Sequence, residues 1–194
     1  MPDKKMEVPT NAGNGSAAEV KLKRITFAEL WNAYPNEAAP CKNPKTGDAA
    51  FSDECAIRVG TCLATAGITN KSFTGARCWY EGHPRSHMLR AEEVANWLLL
   101  RPFAGCPKPT DITGKNWQAA AKGRTGIVFF KDYWRRDSEK QPTGDHIDLW
   151  NGSSLTAPSL QGRINNFFRF TLGLGVAWYS DLAKSRQIWL WEIQ

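Results

Sequence analysis

Two stretches of the sequence carry residue types that can do covalent chemistry together. The first is Phe51-Ser52-Asp53-Glu54-Cys55-Ala56-Ile57-Arg58-Val59-Gly60, which predicts the opening turn of a helix. Ser52 suits an N-cap because its hydroxyl can accept from an otherwise unpaired backbone N–H, and that cap puts Cys55 at the third helical position. Free N–H groups and the positive end of the helix dipole stabilise a thiolate there, and the thiolate is the nucleophile. The alternative reading of Cys55 is a small buried hydrophobe on an amphipathic helix. The second stretch is Asp145-His146-Ile147-Asp148-Leu149-Trp150, whose alternation predicts a strand. His146, Asp148 and Trp150 then share one face, and Ile147 and Leu149 the other. With Ile147 and Leu149 in a core, His146 and Asp148 stand side by side in a cleft. A histidine beside a carboxylate is the general base a cysteine nucleophile needs, and the pair can rest as thiolate and imidazolium. The same spacing also occurs on salt-bridged surface strands.

Other candidates have a weaker pattern. Trp79 and Trp150 can wall a cleft or fill a core. His83 and His87 lie in a loop and read as surface or capping residues. The five cysteines (Cys41, Cys55, Cys62, Cys78, Cys106) are an odd count. One reactive thiol plus up to two bridges, in three connectivities, is possible, and so are five reduced thiols. No CxxC pair exists and the histidines do not complete a zinc spacing. Neither a metal nor a cofactor is expected.

The elements that must position these residues follow from local pattern. Thr26 caps a helix over 27–34, with Phe27, Leu30, Trp31 and Tyr34 on one face and Pro35 as its stop. Residues 35–50 are loop. The helix carrying Cys55 ends at Gly67, with Cys55, Val59, Cys62, Leu63 and Ala66 on one stripe. A second long helix spans about 88–100, with the ridge Val94, Ala95 and Leu98. Residues 126–134 are β-branched and aromatic after Gly126, a strand buried in its first half. Asn151-Gly152 is a strong hairpin signal and predicts a return strand over 153–155. A short helix over 163–171 and a last strand over 187–193 complete the chain. Helices followed by strands on short turns predict an α+β domain with an antiparallel sheet. Residues 1–22 are expected to be a flexible leader, and 23–194 a single domain.

With 42% hydrophobic residues, nine Trp, nine Phe and a net charge of +6 over 194 residues, the composition is that of an aromatic-rich globular protein. The positive charge favours an acidic partner such as an anionic envelope polymer or an acidic inhibitor. The basic residues are scattered, with no run and no recognisable module, so nucleic-acid binding is not expected. No apolar run approaches membrane-spanning length, and the first residues lack an apolar segment of the secretory kind.

The order of these blocks resembles a known family. Phe27-x-x-Leu30-Trp31-x-x-Tyr34-Pro35, Cys55-Ala56-Ile57-Arg58-Val59-Gly60, Arg77-Cys78-Trp79, Leu89-Arg90-Ala91-Glu92-Glu93 and Gly126-Ile127-Val128-Phe129-Phe130 are followed by Gly144-Asp145-His146-Ile147-Asp148-Leu149-Trp150-Asn151-Gly152 and Ile188-Trp189-Leu190-Trp191-Glu192. Together, over about residues 25–194, they resemble the type VI secretion amidase effectors of family four. The resemblance implies a papain-like, NlpC-type fold with a Cys–His pair. It implies hydrolysis of the γ-D-glutamyl–meso-diaminopimelate bond of peptidoglycan stem peptides, without a cofactor. It also implies delivery by the type VI secretion machinery into the periplasm of a rival cell, hence no signal peptide, and a periplasmic immunity protein as partner. Cys55 is then the nucleophile and His146 the base. The family's orienting acid falls about where this chain has Thr156-Ala157-Pro158, none of them a carboxylate. That leaves Asp148, Asn151 or no third residue. Two other readings stay open: a cysteine peptidase or acyltransferase acting on another amide, and a binding module that has lost turnover.

Overall fold

Thr26 starts the first helix through a reciprocal cap. Its hydroxyl accepts from the Glu29 N–H at 3.3 Å, and Glu29 Oε2 accepts from the Thr26 N–H at 2.9 Å. This capping box opens α1 (Phe27–Ala33), and Pro35 prevents its continuation. The structure, a computed structural model, describes residues 5–9, 17–21, 24–37, 39–134, 140–156 and 182–194. The helix expected over 163–171 lies outside the described residues.

The next helix, α2 (Cys55–Thr65), begins later than Ser52 as a cap would have it. Glu54 is the N-cap and gives no side-chain cap bond; the Cys55 N–H instead donates to Asp53 Oδ1 at 3.1 Å. Cys55 is therefore the first helical residue rather than the third. The far end matches expectation. Gly67 takes φ +87°, its N–H donates to Ala64 O at 2.9 Å, and the Ile68 N–H donates to Leu63 O at 2.9 Å. That is a Schellman closure, which needs the left-handed glycine. Gly60 serves a different purpose: a Cβ there would drive into the Ser86 carbonyl, so glycine lets α2 press on the loop over 77–88. The third helix, α3 (Ala91–Leu99), starts three residues after 88. Met88 is held in a bridge with Arg77, and the Leu89 N–H donates to Ala76 O at 3.0 Å.

The strands β3 (Thr110–Asp111), β4 (Gly126–Trp134), β5 (Gly144–Trp150) and β6 (Gln187–Glu192) form an antiparallel sheet in the order β3-β6-β4-β5. The alternation expected along 145–150 and 187–193 is present, in an α+β architecture. The return strand expected over 153–155 reduces to one bridge, Trp150 to Leu155; Asn151 Oδ1 takes the Ser153 and Ser154 N–H groups, and the start of α2 meets the outer edge of β5. A short helix, α4 (Trp117–Ala121), follows β3, and Leu182–Lys184 forms a 3₁₀ turn. In the stretch expected to be a leader, β1 (Lys5–Pro9) pairs antiparallel with β2 (Ala17–Lys21) as a separate two-stranded sheet.

The sheet separates two cores. Ile127, Phe129, Ile147, Leu149 and Trp191 pack with α1, α2 and α3 residues such as Leu30, Val59, Leu63 and Leu98. Val128, Phe130, Trp150, Ile188 and Leu190 pack against Trp117 and Ala121 of α4. Burying a large apolar side chain stabilises by about 1.5–3 kcal/mol, so both faces hold β4 at the centre of the sheet. Its first five residues are buried, as their sequence predicts.

Candidate active site

A strand at the end of a sheet carries backbone donors with no ladder partner. Along β5 these donors are used locally. The Ile147 N–H reaches the Cys55 thiol at the start of α2, and the Leu149 N–H donates to Asp148 Oδ1 at 2.8 Å. The first turn of α2 therefore sits against the free edge of β5, which brings Cys55 to the residue after His146 and into hydrogen-bond contact with the His146 ring. Sequence expectation and structure agree on this meeting.

Asp148 stands behind the ring. His146 Nε2 lies 3.6 Å from Asp148 Oδ2, so two residues along one strand are near enough for the carboxylate to act on the imidazole. The carboxylate is 4% exposed and is held from several sides: by its own Leu149 N–H, by the Thr156 hydroxyl and by the Tyr34 hydroxyl. A buried carboxylate requires such donors. The His146 ring lies between Phe130, stacked at 6.2 Å, and Tyr133, edge-on at 6.4 Å.

The electrostatics follow from these contacts. Burial raises the Cys55 thiol above its ordinary value, while the His146 hydrogen bond, the His146 charge and the Ile147 N–H pull it back down; the nearby Asp53 charge pushes it up. Burial lowers the proton affinity of His146, but hydrogen bonds to Asp148 and Cys55 and the charges of both more than offset that. His146 ends well above the usual histidine value. The ring therefore prefers to carry its proton, while the balance at Cys55 stays upward because burial outweighs the His146 and Ile147 contacts that favour its thiolate. Tyr34 is pushed well up by burial and by the Asp148 charge, so it remains a phenol and a donor.

The remaining sequence candidates separate clearly. Asn151 Oδ1 accepts from the Ser153 and Ser154 N–H groups at 3.0 and 2.8 Å, so it shapes the turn at Gly152 instead of serving His146. Trp150, expected as a cleft wall, is 2% exposed, packs on Trp117 at 5.2 Å and donates to Ala121 O at 2.8 Å. Its even position on β5 points it into the second core. Trp79 is 70% exposed and packs edge-on against Phe51 at 5.1 Å, four residues before Cys55. Cys55 opens into a cleft of about 450 Å³, lined also by Phe51, Asp53, Arg90, Glu92, Trp134 and Asp145. Four carboxylates (Asp53, Glu92, Glu93 and Asp145) surround the single guanidinium of Arg90 there, a mainly acidic lining with one basic group.

Sequence reasoning missed two supports of the site. Tyr34 reads as a helix-face core residue and Thr156 as the place where an acid is lacking, yet both hold Asp148. Only the Tyr34-Pro35 pair, which ends α1 in extended backbone (φ −69°, ψ 129°), hints that this side chain does something other than continue a helix. A second cluster also escaped the spacing rules for zinc. Cys41, Cys78, His83 and His87 place one donor atom each within 4.8 Å of one another. The Cys78-x4-His83-x3-His87 run was its visible trace, but Cys41 joins from a distant loop. All five cysteines are free thiols, and Cys62 and Cys106 are buried outside both clusters, pushed up to about 12 by burial.

Comparison with known proteins adds to this geometry. The family model for the type VI secretion system (T6SS) amidase effector protein 4, Tae4, matches residues 51–191. Among solved structures, similar folds are found in the effector–immunity system Tae4/Tai4 from Salmonella typhimurium, at 18% identity and TM-score 0.54 over 89% of this chain and 100% of that one. The Tae4 effector from Enterobacter cloacae matches at 17% identity and TM-score 0.53, over 90% and 100%. The Enterobacter cloacae Tae4–Tai4 complex matches at 18% and 0.55, over 89% and 100%. No curated protein sequence matches the chain.

Proposed function

The chain belongs to the Tae4 family and is thus a type VI secretion amidase effector acting on peptidoglycan; on that premise we propose that it cleaves the γ-D-glutamyl–meso-diaminopimelate bond of stem peptides through Cys55 and His146. The observation that carries this reading is the meeting of the α2 N-terminus with the β5 edge. It joins a thiol, an imidazole of raised proton affinity and a buried carboxylate 3.6 Å behind it, all beside one cleft.

In this reading the Cys55 thiolate attacks the γ-glutamyl carbonyl carbon. The charge that develops on the carbonyl oxygen is met by backbone N–H groups of the α2 start. The Cys55 N–H is engaged by Asp53 Oδ1 in the free protein, so that bond opens when it serves the oxyanion. His146 gives its proton to the departing amine as the C–N bond breaks, leaving a thioester. It then takes a proton from water, and the hydroxide releases the acyl group and restores the thiol. With Nε2 turned to Asp148, Nδ1 is the ring nitrogen left to exchange protons with Cys55. Asp148 holds the ring in that tautomer, the role that the family places further along the chain.

The cleft chemistry supports the substrate class. A stem peptide presents carboxylates and an ammonium group, and Arg90 lies among Asp53, Glu92 and Asp145. A cognate immunity protein is the expected partner, as in the effector–immunity complexes of the similar structures. The net charge of +6 suits an acidic inhibitor and an anionic wall alike. The chain is expected to act as one domain over 23–194. Incubation with diaminopimelate-type muropeptides, followed by mass spectrometry, tests the proposal: new γ-glutamyl and diaminopimelyl termini are expected. Cleavage of another amide by an active, Cys55-dependent enzyme would sink the bond assignment.

A further inference from the structure

The loop over 77–88 is a closed hairpin built on backbone bonds. Arg77 bridges Met88, the Cys78 N–H donates to His87 O at 2.8 Å, and the His83 N–H donates to Tyr80 O at 3.2 Å. This places Cys78, His83 and His87 on one small loop. The loop ahead of α2 is closed in the same manner, with Lys42 bridging Ala49 and the Ala50 N–H donating to Cys41 O at 2.8 Å. Cys41 is fully buried and points into the hairpin's cluster. Its Sγ is 3.5 Å from Cys78 Sγ and 3.3 Å from His83 Nδ1, and Cys78 Sγ is 3.2 Å from the same nitrogen.

Tetrahedral zinc with bonds of about 2.3 Å to sulfur and about 2.0–2.1 Å to nitrogen sets its ligand atoms about 3.4–3.8 Å apart. The three measured separations lie within a few tenths of an ångström of those edges. The fourth donor is His87, whose ring is 5% exposed and whose Nδ1 has no hydrogen-bond partner among the described residues. An unpaired buried nitrogen is costly, and a bond from it to a metal would remove the cost. Two sulfurs and two imidazoles in a closed set are the donors of a structural zinc site, and they differ from the open set that a catalytic zinc keeps.

We propose that Cys41, Cys78, His83 and His87 bind one zinc ion that ties the loop preceding the nucleophile helix to the hairpin over 77–88. Each thiol releases its proton to solvent on binding. The ion would set the wall of the cleft, since Trp79 follows Cys78 directly and packs on Phe51. None of the four ligands belongs to the Cys55–His146–Asp148 group, so this site stands or falls apart from the amidase reading.

The test uses the full chain, purified from a reducing cytoplasm without chelators. One zinc per chain is expected by elemental analysis. Replacement by Co²⁺ should give tetrahedral d–d bands and a sulfur-to-cobalt charge-transfer band at one equivalent. Cys78→Ser should reduce the charge-transfer band to about half or less, one of two thiolates being lost. His87→Gln should lose stoichiometric zinc, and Cys106→Ser and Cys55→Ala should leave the cobalt spectrum unchanged. A wild-type protein with all thiols titratable that neither retains zinc nor develops the cobalt band would overturn the proposal, with no reliance on any variant's folding. A Cys41–Cys78 disulfide found by mass spectrometry in that preparation would overturn it as well.

Discussion

Replacing Asp148 with Asn tests the least conventional feature of the site, an orienting acid two residues from the histidine on the same strand. The carboxylate lies 3.6 Å from His146 Nε2, with side-chain exposures of 6% and 24%, so solvent screens the pair only in part. At 4 Å and an effective dielectric near 20, two unit charges interact by about 4 kcal/mol; a neighbouring carboxylate shifts a titrating group by about 1–3 units in practice. One unit is about 1.4 kcal/mol, or tenfold in rate if the lost interaction is one made in the transition state. Partial exposure of the ring favours the lower half of that range. Asp148→Asn is therefore expected to lower kcat/KM on a muropeptide by about 10–100-fold and to lower the His146 pKa, since the Asp148 hydrogen bond and charge help to raise it. The assays are steady-state turnover and an NMR titration of the ring, with thermal melting as a control. The control matters because one Asn oxygen cannot accept from the Leu149 N–H, Tyr34 and Thr156 together, so some loss of stability is expected as well. A folded variant with kcat/KM within about twofold of wild type and an unmoved His146 titration would refute the role given to Asp148.

Other expectations follow from the same contacts. Cys55→Ala should abolish turnover, leave the fold within about 1 kcal/mol of wild type, and lower the His146 pKa, since the thiol contact and charge help to raise it; retained hydrolysis would refute the nucleophile assignment. Tyr34→Phe removes one donor to Asp148 and should cost about 1 kcal/mol of stability, with a smaller fall in kcat/KM than Asp148→Asn; a melting temperature equal to wild type would count against that bond. Asp53→Asn removes a charge that raises Cys55, so thiol alkylation should titrate at lower pH, by a small margin because Asp53 is exposed and screened. His146 binds its proton more tightly folded than unfolded, so its contribution to stability is fully present below about pH 6.5 and is lost as pH rises through the folded value. Thermal melts should fall from pH 6 to pH 9 in wild type, and His146→Gln should flatten that slope; an equal slope in both proteins would contradict the shift.

Much of the scaffold was legible because its signals are short-range. Thr26, Glu29 and Pro35 bound α1, Gly67 closes α2, and the β-branched run from Gly126 makes a buried strand. The start of α2 was misplaced by two residues because Asp53 competes for the Cys55 N–H, an outcome that depends on the loop before it. The expected return strand after Asn151-Gly152 shortened to a bridge because Asn151 Oδ1 takes the Ser153 and Ser154 N–H groups and the start of α2, from earlier in the chain, meets the outer edge of β5.

The sequence by itself determined the chemistry available: a helix that begins near a cysteine, a strand that sets His146 and Asp148 on one face, and an order of motifs that resembles one family. These depend on helical and strand periods, which are properties of a few neighbouring residues. Only the tertiary structure decided which groups meet. It placed the free edge of β5 against the first turn of α2, set Asp148 beside the His146 ring and Asn151 in the turn, and brought Tyr34 and Thr156 to Asp148. It buried Trp150 while leaving Trp79 exposed, and it brought Cys41 to Cys78, His83 and His87. Contacts between residues so far apart depend on how whole loops and layers pack, and no local spacing encodes them.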